Sequence, residues 1–270
     1  MMAIARGLGV SRSNLYDRML PSPPMTETEK DGDAELLSGI RSITDSRPTY
    51  GYRRVTALVR RQAEAPVNHK RIYRIMKKNG LLLQRYDRRP TRTHDGKIIT
   101  LHSNTRWCSD GFRIQCWNGE HVEVAFSLDC CDREIMSWVC STRGIDGGLI
   151  RDLMVQSISH RFGNVSALPR KIQWLSDNGP GYTAHQTVAF GRSLGFEVVT
   201  TPAYSPESNG MAEAFVKTFK RDYVYHANLP SAQQVIQQLH GWFEDYNEHH
   251  PHKGLGMKSP REYLKKSTAN

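Results

Sequence analysis

Arg106-Trp-Cys-Ser-Asp-Gly-Phe-Arg-Ile-Gln-Cys-Trp-Asn-Gly-Glu-His-Val-Glu-Val-Ala-Phe-Ser-Leu128 is the stretch that decides the fold. Its first half is rich in aromatic and strand-forming residues and long enough for one arm of a hairpin. Asn118-Gly119 is the strongest short hairpin signal in the chain, because tight turns that match strand twist need positive φ. His121-Val-Glu-Val-Ala-Phe-Ser-Leu128 then alternates in part with period two. A third run, Ile135-Met-Ser-Trp-Val-Cys140, follows the polar Asp129-Cys-Cys-Asp-Arg-Glu134. Residues 105–141 therefore read as a three-stranded antiparallel meander.

Downstream, Leu149, Leu153, Ile158 and Phe162 fall close to helical spacing over 148–162. Ile172-Gln-Trp-Leu-Ser176 is a short strand that stops where Asp177-Asn-Gly begins. A helix is predicted near 184–194, a strand at Phe196-Glu-Val-Val-Thr200, and a helix over about 208–225. Val235, Leu239, Trp242 and Tyr246 mark the apolar face of one more helix. Strands first, then alternating helix and strand, give a mixed sheet with helices on its faces.

Three acids sit in separate local contexts: Trp107-Cys-Ser-Asp110, Trp174-Leu-Ser-Asp177-Asn-Gly179 and Ser205-Pro-Glu-Ser-Asn-Gly-Met-Ala-Glu213. Thirty-five residues, 178–212, separate the last two. The expected layout carries the first on a strand, the second just past a strand end and the third on a helix able to pack beside both. Three carboxylates at one point would hold two divalent ions roughly 3.5–4 Å apart, one activating an attacking oxygen and one stabilising the leaving oxygen of a phosphodiester. Mg²⁺ suits such a site, since it takes a few carboxylates and leaves positions for phosphate. Asp129, after a good strand, is the rival for the first position, and Asn178 shapes the turn after Asp177.

Ser176-Asp-Asn-Gly179, the thirty-five-residue spacing and Ser205-Pro-Glu-Ser-Asn-Gly-Met-Ala-Glu-Ala-Phe215 resemble the retroviral-integrase superfamily. The tail Tyr246-Asn-Glu-His-His-Pro-His-Lys-Gly-Leu-Gly256, with Ser259-Pro-Arg-Glu-Tyr263, resembles bacterial insertion-sequence transposases, specifically the second-frame protein of the IS-three family. Arg106-Trp-Cys-Ser-Asp-Gly-Phe112 and Leu128-Asp-Cys-Cys-Asp-Arg-Glu134 are similar to its IS-two-like branch. The resemblance runs from about Leu36 onward. It implies an α/β protein with an RNase H-like integrase catalytic core, a mixed five-stranded sheet with flanking helices, preceded by a helical helix-turn-helix region. It also implies a DDE transposase that cleaves and transfers DNA strands at insertion-sequence ends. Asp110, Asp177 and Glu213 would be both catalytic and metal-binding, holding two Mg²⁺ ions with Mn²⁺ as a substitute. Lys220 matches the family's basic residue seven positions beyond the Glu, with Lys217 between them at i+4. Both are candidate DNA-phosphate contacts, and Lys217 could equally pair with Glu213. His249, His250 and His252 match a conformational corner after a helix.

Charge distribution agrees with a DNA partner. The 270 residues carry 37 Lys and Arg against 27 Asp and Glu. Residues 1–100 hold 20 against 10, and residues 101–270 hold 17 against 17, so the whole +10 lies in the N-terminal third. Such basicity attracts phosphate backbones independently of sequence. Charge alone does not separate DNA from RNA or from simple solubility.

That third divides further. Residues 1–20 resemble the last two helices of a helix-turn-helix, with Ser11 as a cap. The missing first helix suggests that Met1 lies inside a longer frame or that the segment is a vestige, and the family resemblance implies an upstream-frame protein as fusion or partner. Residues 21–33 read as a linker and 34–84 as a helix-turn-helix-like DNA-binding domain. In the latter, Ile72, Ile75 and Met76 form an apolar stripe that leaves Lys70, Arg71, Arg74, Lys77 and Lys78 largely on other faces, either a solvated basic surface or, as the family resemblance implies, a recognition helix that contacts DNA. A basic linker at 85–104, an integrase core at 105–225 and a C-terminal helix with the tail motif at 226–270 complete the organisation. The expected partners are the terminal repeats and target DNA, with a homo-oligomer holding two ends in a synaptic complex. Five cysteines without a Cys-x-x-Cys pair argue against a zinc site and for reduced thiols. No apolar run approaches the roughly 20 residues of a membrane span, and no signal peptide is visible, so a cytoplasmic, nucleoid-associated protein is expected. The same motifs would also fit a catalytically inactive DNA-binding regulator derived from such an element.

Overall fold

The hairpin forms where its turn residues demand it. The structure, a computed structural model, describes residues 31–63, 65–84, 100–201 and 209–267. The partial helix-turn-helix expected at 1–20, most of both expected linkers, and Ser205-Pro-Glu-Ser208 lie outside those residues. Strand β1 (Arg106–Gln115) pairs antiparallel with β2 (His121–Asp129), Asp110 opposite Phe126. Between them Gly119 adopts φ +89°, and the Asn118 side-chain oxygen accepts from the Glu120 N–H at 3.1 Å. β3 (Ile135–Ser141) adds antiparallel to β2, completing the expected meander. β4 (Ile172–Ser176) and β5 (Phe196–Thr200) extend the other side in parallel, giving the order β3-β2-β1-β4-β5.

Period-two alternation sends successive β1 residues to opposite faces. Cys108, Phe112 and Ile114 join one core with Phe126, and with Phe215 and Phe219 of α7 (Gly210–Asp222) and Phe243 and Tyr246 of α8 (Ala232–His249). Trp107 joins the other, with Trp174, Phe196 and the apolar side of α4 (Gly147–Phe162). α6 (His185–Ser193) lies on that side too, and its Gly191 is a close approach: a Cβ there would stand 2.9 Å from Val198 Cγ2. A short helix α5 (Pro180–Thr183) that sequence reading did not anticipate intervenes after β4, with Pro180 in its first turn. The helix expected over 208–225 is α7, which ends at Asp222 before a 3₁₀ turn at Val224–His226.

Three helices precede the sheet: α1 (Asp33–Ser46), α2 (Tyr52–Gln62) and α3 (His69–Lys78). They close on Ile40, Ile43, Val55, Val59, Ile72, Ile75 and Met76, and the Asn68 side chain caps α3. Polar contacts then fasten them to the sheet unit. Arg47 grips Asp245 through two bonds of 2.7 and 2.6 Å, and Tyr50 OH meets His250 Nδ1 at 3.0 Å. Thr49 and Arg54 both donate to Asp222, the last residue of α7, at 2.6 and 3.0 Å. The tail ends in α9 (Pro260–Ser267), which the sequence reading treated only as a motif. A reciprocal capping box starts it: the Ser259 N–H donates to Glu262 Oε2 and the Glu262 N–H to Ser259 Oγ.

Asn247, buried on α8, stitches that helix to the β3 start: its side-chain oxygen accepts from the Ile135 N–H and its amide donates to the Ile135 carbonyl, each at 2.9 Å. Asn247→Ala leaves both backbone groups buried without partners and is expected to cost about 2–4 kcal/mol. A urea unfolding midpoint indistinguishable from wild type would count against this bridge.

Candidate active site

Asp110 stands where β1 changes character. Trp107, Cys108 and Ser109 before it are buried on both faces; beyond it exposed Gly111, Arg113 and Gln115 alternate with buried Phe112 and Ile114. The parallel pairing of β1 with β4 runs through Cys108 opposite Leu175. Continuing that register by two residues sets Asp110 level with Asp177, just past the end of β4. Both aspartates line one cavity of about 280 Å³, together with Arg113, Glu123 and the Gly179–Tyr182 turn.

Each aspartate is held by a neighbouring backbone amide. The Gly111 N–H donates to Asp110 Oδ1 at 2.8 Å, and the Gly179 N–H to Asp177 Oδ1 at 3.1 Å. Asn178, expected to shape this turn, does so by donating to the Thr201 carbonyl at 2.9 Å. Below the site Ser109 Oγ and Tyr182 OH share a buried hydrogen bond of 2.9 Å, which ties α5 to β1. Burial, and then the charges of Asp177 and Glu213, push the Asp110 carboxyl up to about 6, against the pull of the Gly111 amide.

Glu213 lies in the first turn of α7, on the side of the sheet that Phe112 faces. It reaches Asp110 electrostatically but does not line the cavity. Its half-exposed carboxylate pairs with Lys217 at 3.6 Å, the i,i+4 contact that the spacing allowed. Among the described residues no three His, Cys, Asp or Glu side chains form a ready-made metal-ligand set. Lys220 Nζ sits 5.7 Å from the centroid of Phe112, two residues along β1 from Asp110, a cation–π contact that keeps the ammonium on this side of the helix.

Asp129 occupies a different environment. It is fully buried and accepts from the Asn104, Cys131 and Asp132 N–H groups at 2.6, 2.7 and 3.2 Å and from Trp107 Nε1 at 3.1 Å. Its oxygens close the end of β2. In the helical unit, Lys70, Lys77 and Lys78 are exposed on α3, while half-buried Arg71 and Arg74 bind Asp33 at 2.7 and 2.5 Å.

Asn209 is a residue that sequence reading missed. It sits at the N-cap position of α7, where Asn usually caps, yet its side chain makes no cap bond. Instead its amide donates to the Ser109 carbonyl at 3.2 Å, fixing the start of the Glu213 helix against the strand residue beside Asp110. Nothing local announces a bond across a hundred residues of chain.

Comparison with known proteins identifies the family and the fold. The HTH-like domain family matches residues 31–89, and the integrase core domain matches residues 101–206 and, in a second family description, 194–260. The transposase InsD of insertion element IS2A/D/F/H/I/K from Escherichia coli is 44% identical over 99% of this chain and 91% of its own. Transposase InsD of IS2-9, from Escherichia coli strain K12, is 44% identical over 99% and 90%. Among solved structures, a chain of the simian T-cell lymphotropic virus intasome in complex with PP2A regulatory subunit B56 gamma matches with a TM-score of 0.50 at 17% identity, covering 84% of this chain and 73% of that one. That last likeness is one of fold. Identity sustained over nearly the whole length of both chains carries the assignment: this protein belongs to the insertion-element transposases of the IS-three family, in the branch of the IS2 elements.

Proposed function

We propose that this transposase cuts and joins DNA strands at a site made by Asp110, Asp177 and Glu213, which hold divalent metal ions, Mg²⁺ or Mn²⁺. One observation carries the reading: the Asp110 carboxyl, in a cavity it shares with Asp177, feels the charges of both Asp177 and Glu213. Three carboxylates offer only hard oxygen donors, the set that Mg²⁺ prefers, and a bound cation removes their mutual repulsion. Bound ions would supply activation of an attacking water or 3′-hydroxyl and stabilisation of the leaving oxygen.

The chain's own residues do the rest. The Gly111 and Gly179 amides each fix one oxygen of an aspartate, leaving the other for a ligand. Asn209 sets the height of the Glu213 helix on β1. Lys220 and Lys217 face DNA phosphate along α7, and Lys70, Lys77 and Lys78 do so on α3. Arg71 and Arg74, held by Asp33, add positive charge beside them. The substrates are the element's terminal repeats and target DNA; joining two ends in one event calls for a homo-oligomer, acting with or fused to an upstream-frame protein.

Glu213→Gln and Asp177→Asn are each expected to lower Mg²⁺-dependent cleavage and joining of labelled element-end DNA by ~10³-fold or more, the several kcal/mol that such metal sites supply. Duplex binding should persist, because the cations of the helical unit are untouched. Near-wild-type strand transfer by either protein overturns the assignment.

A stability experiment tests the site independently of chemistry. The native carboxyl of Asp110 titrates near 6 against an ordinary 3.8, so the native state holds that proton more tightly than the unfolded chain. The charge carries no penalty below the ordinary value, and the penalty is complete above the native one. Asp110→Asn should therefore stabilise the metal-free protein by about 1–3 kcal/mol at neutral pH, a gain that fades as pH falls from about 6 toward 3.8. Added Mg²⁺ should raise the melting temperature of wild type and not that of the variant. A pH-independent difference between the two proteins would refute the shared field.

A further inference from the structure

A second cavity, of about 340 Å³, lies where the helical unit meets the tail. Arg60 and Arg61 from the last turn of α2, Lys258 from the loop before α9 and Lys266 from the last turn of α9 all line it; Glu262 is the one acid. Arg61 neutralises Glu262 at 2.5 Å and donates to the His249 carbonyl at 2.9 Å. Arg60, Lys258 and Lys266 remain as three cations around one space. Small walls at Ala57 and Gly256 leave that space open.

The cations are built in place. Arg60 Nε is held by the Val67 carbonyl at 2.7 Å. Lys258 rides on a closed turn: its carbonyl accepts from the His252 N–H at 2.9 Å, and the Met257 N–H reaches the His252 carbonyl at 2.7 Å. Gly256 and Met257 both take left-handed φ, +65° and +66°, in that turn. A non-glycine residue there is uncommon and is maintained only where surrounding structure over-determines it. Partial desolvation and then the neighbouring Lys266 ammonium hold the Lys258 amine below its ordinary range, against the opposing pull of Glu262.

Compensation of helix dipoles accounts for basic residues in the last turns of α2 and α9 taken singly. It does not account for Lys258, which belongs to neither helix, nor for cations from the distant helix α2 and the tail converging on one space. We propose that this cleft binds a backbone phosphate of duplex DNA, adding a contact at the seam between the helical unit and the tail to those made by α3 and α7. The inference rests on the protein being one that acts on DNA. An ammonium pair would take the phosphate as point charges and the Arg60 guanidinium would donate hydrogen bonds to its oxygens.

The test uses the full chain, a labelled element-end duplex and a salt series. Lys258→Gln/Lys266→Gln is compared with Lys171→Gln/Lys253→Gln, which removes the same charge from lysines outside the cleft. The cleft pair should flatten the slope of log K against log[salt] by about 0.9 for each phosphate that is no longer neutralised, with the control slope unchanged. Phosphates whose ethylation blocks wild-type binding should include a group that no longer matters to the cleft variant. Lys266→Gln alone, at an exposed position, gives a partial flattening should the double variant lose its thermal transition, and Lys258→Arg should keep the wild-type slope. A cleft variant with a normal melting curve and the slope and ethylation pattern of the control overturns the proposal. Wild type that binds no duplex at any salt would instead overturn the DNA reading itself.

Discussion

Like charges brought together against their own repulsion are the constraint on which this molecule turns. Asp110 is raised by burial and by two other carboxylates, so something rigid has to hold it where it is. The strand supplies that rigidity: its first half is covered on both faces by aromatic cores, with Trp107 and Trp174 fully buried side by side in the parallel register. β1 cannot shift by one residue without sending Trp107 to the face of Phe126 and Asp110 into the opposite core, because side-chain period is two. Glu213 is fixed more lightly, through a helix anchored by Phe215 and Phe219 in the core and by Asn209 on the Ser109 carbonyl.

The far end of that same helix is where the N-terminal unit attaches. Asp222 has a side chain only 2% exposed and accepts from Thr49, Arg54 and Arg221, with His250 at 3.7 Å. Beside it Asp245 receives Arg47 and Tyr223. Buried ionic groups of this kind contribute little net stability, since desolvation offsets most of the attraction, but losing one partner leaves an uncompensated charge. Their effect is geometric. One helix begins at the candidate catalytic acid and ends in the contacts that hold the helical unit, so the orientation of that unit and the position of Glu213 share a single rigid element.

Elements with local signatures were legible in the sequence. Asn118-Gly119 placed the hairpin, Asp177-Asn-Gly ended β4, and the apolar stripe Ile72, Ile75 and Met76 marked α3. The tail helix is legible too, since Ser259 and Glu262 spell a capping box with Pro260 at the first helical position. What no local rule could supply were partners distant in sequence. The basic face of α3 looked uniform until Asp33 claimed Arg71 and Arg74. Periodicity says which way a side chain leaves a helix; it does not say which acid thirty-eight residues earlier will meet it.

Asp110 and Asp129 show why the candidate site could not be chosen by charge perturbation alone. Both carboxyls are pushed up to about 6, and both follow strand-like sequence. Their surroundings differ in kind. Asp129 has each oxygen answered by two donors, and Arg161 lies 3.9 Å away, so its lone pairs are committed and its role is to close the turn between β2 and β3. Asp110 has one oxygen answered by one amide and opens onto a cavity shared with another aspartate. A raised carboxyl in a satisfied network is the residue of burial; a raised carboxyl with a free oxygen beside like charges is an arrangement that a bound cation would relieve. Satisfaction, rather than the size of the shift, separates the structural acid from the candidate catalytic one.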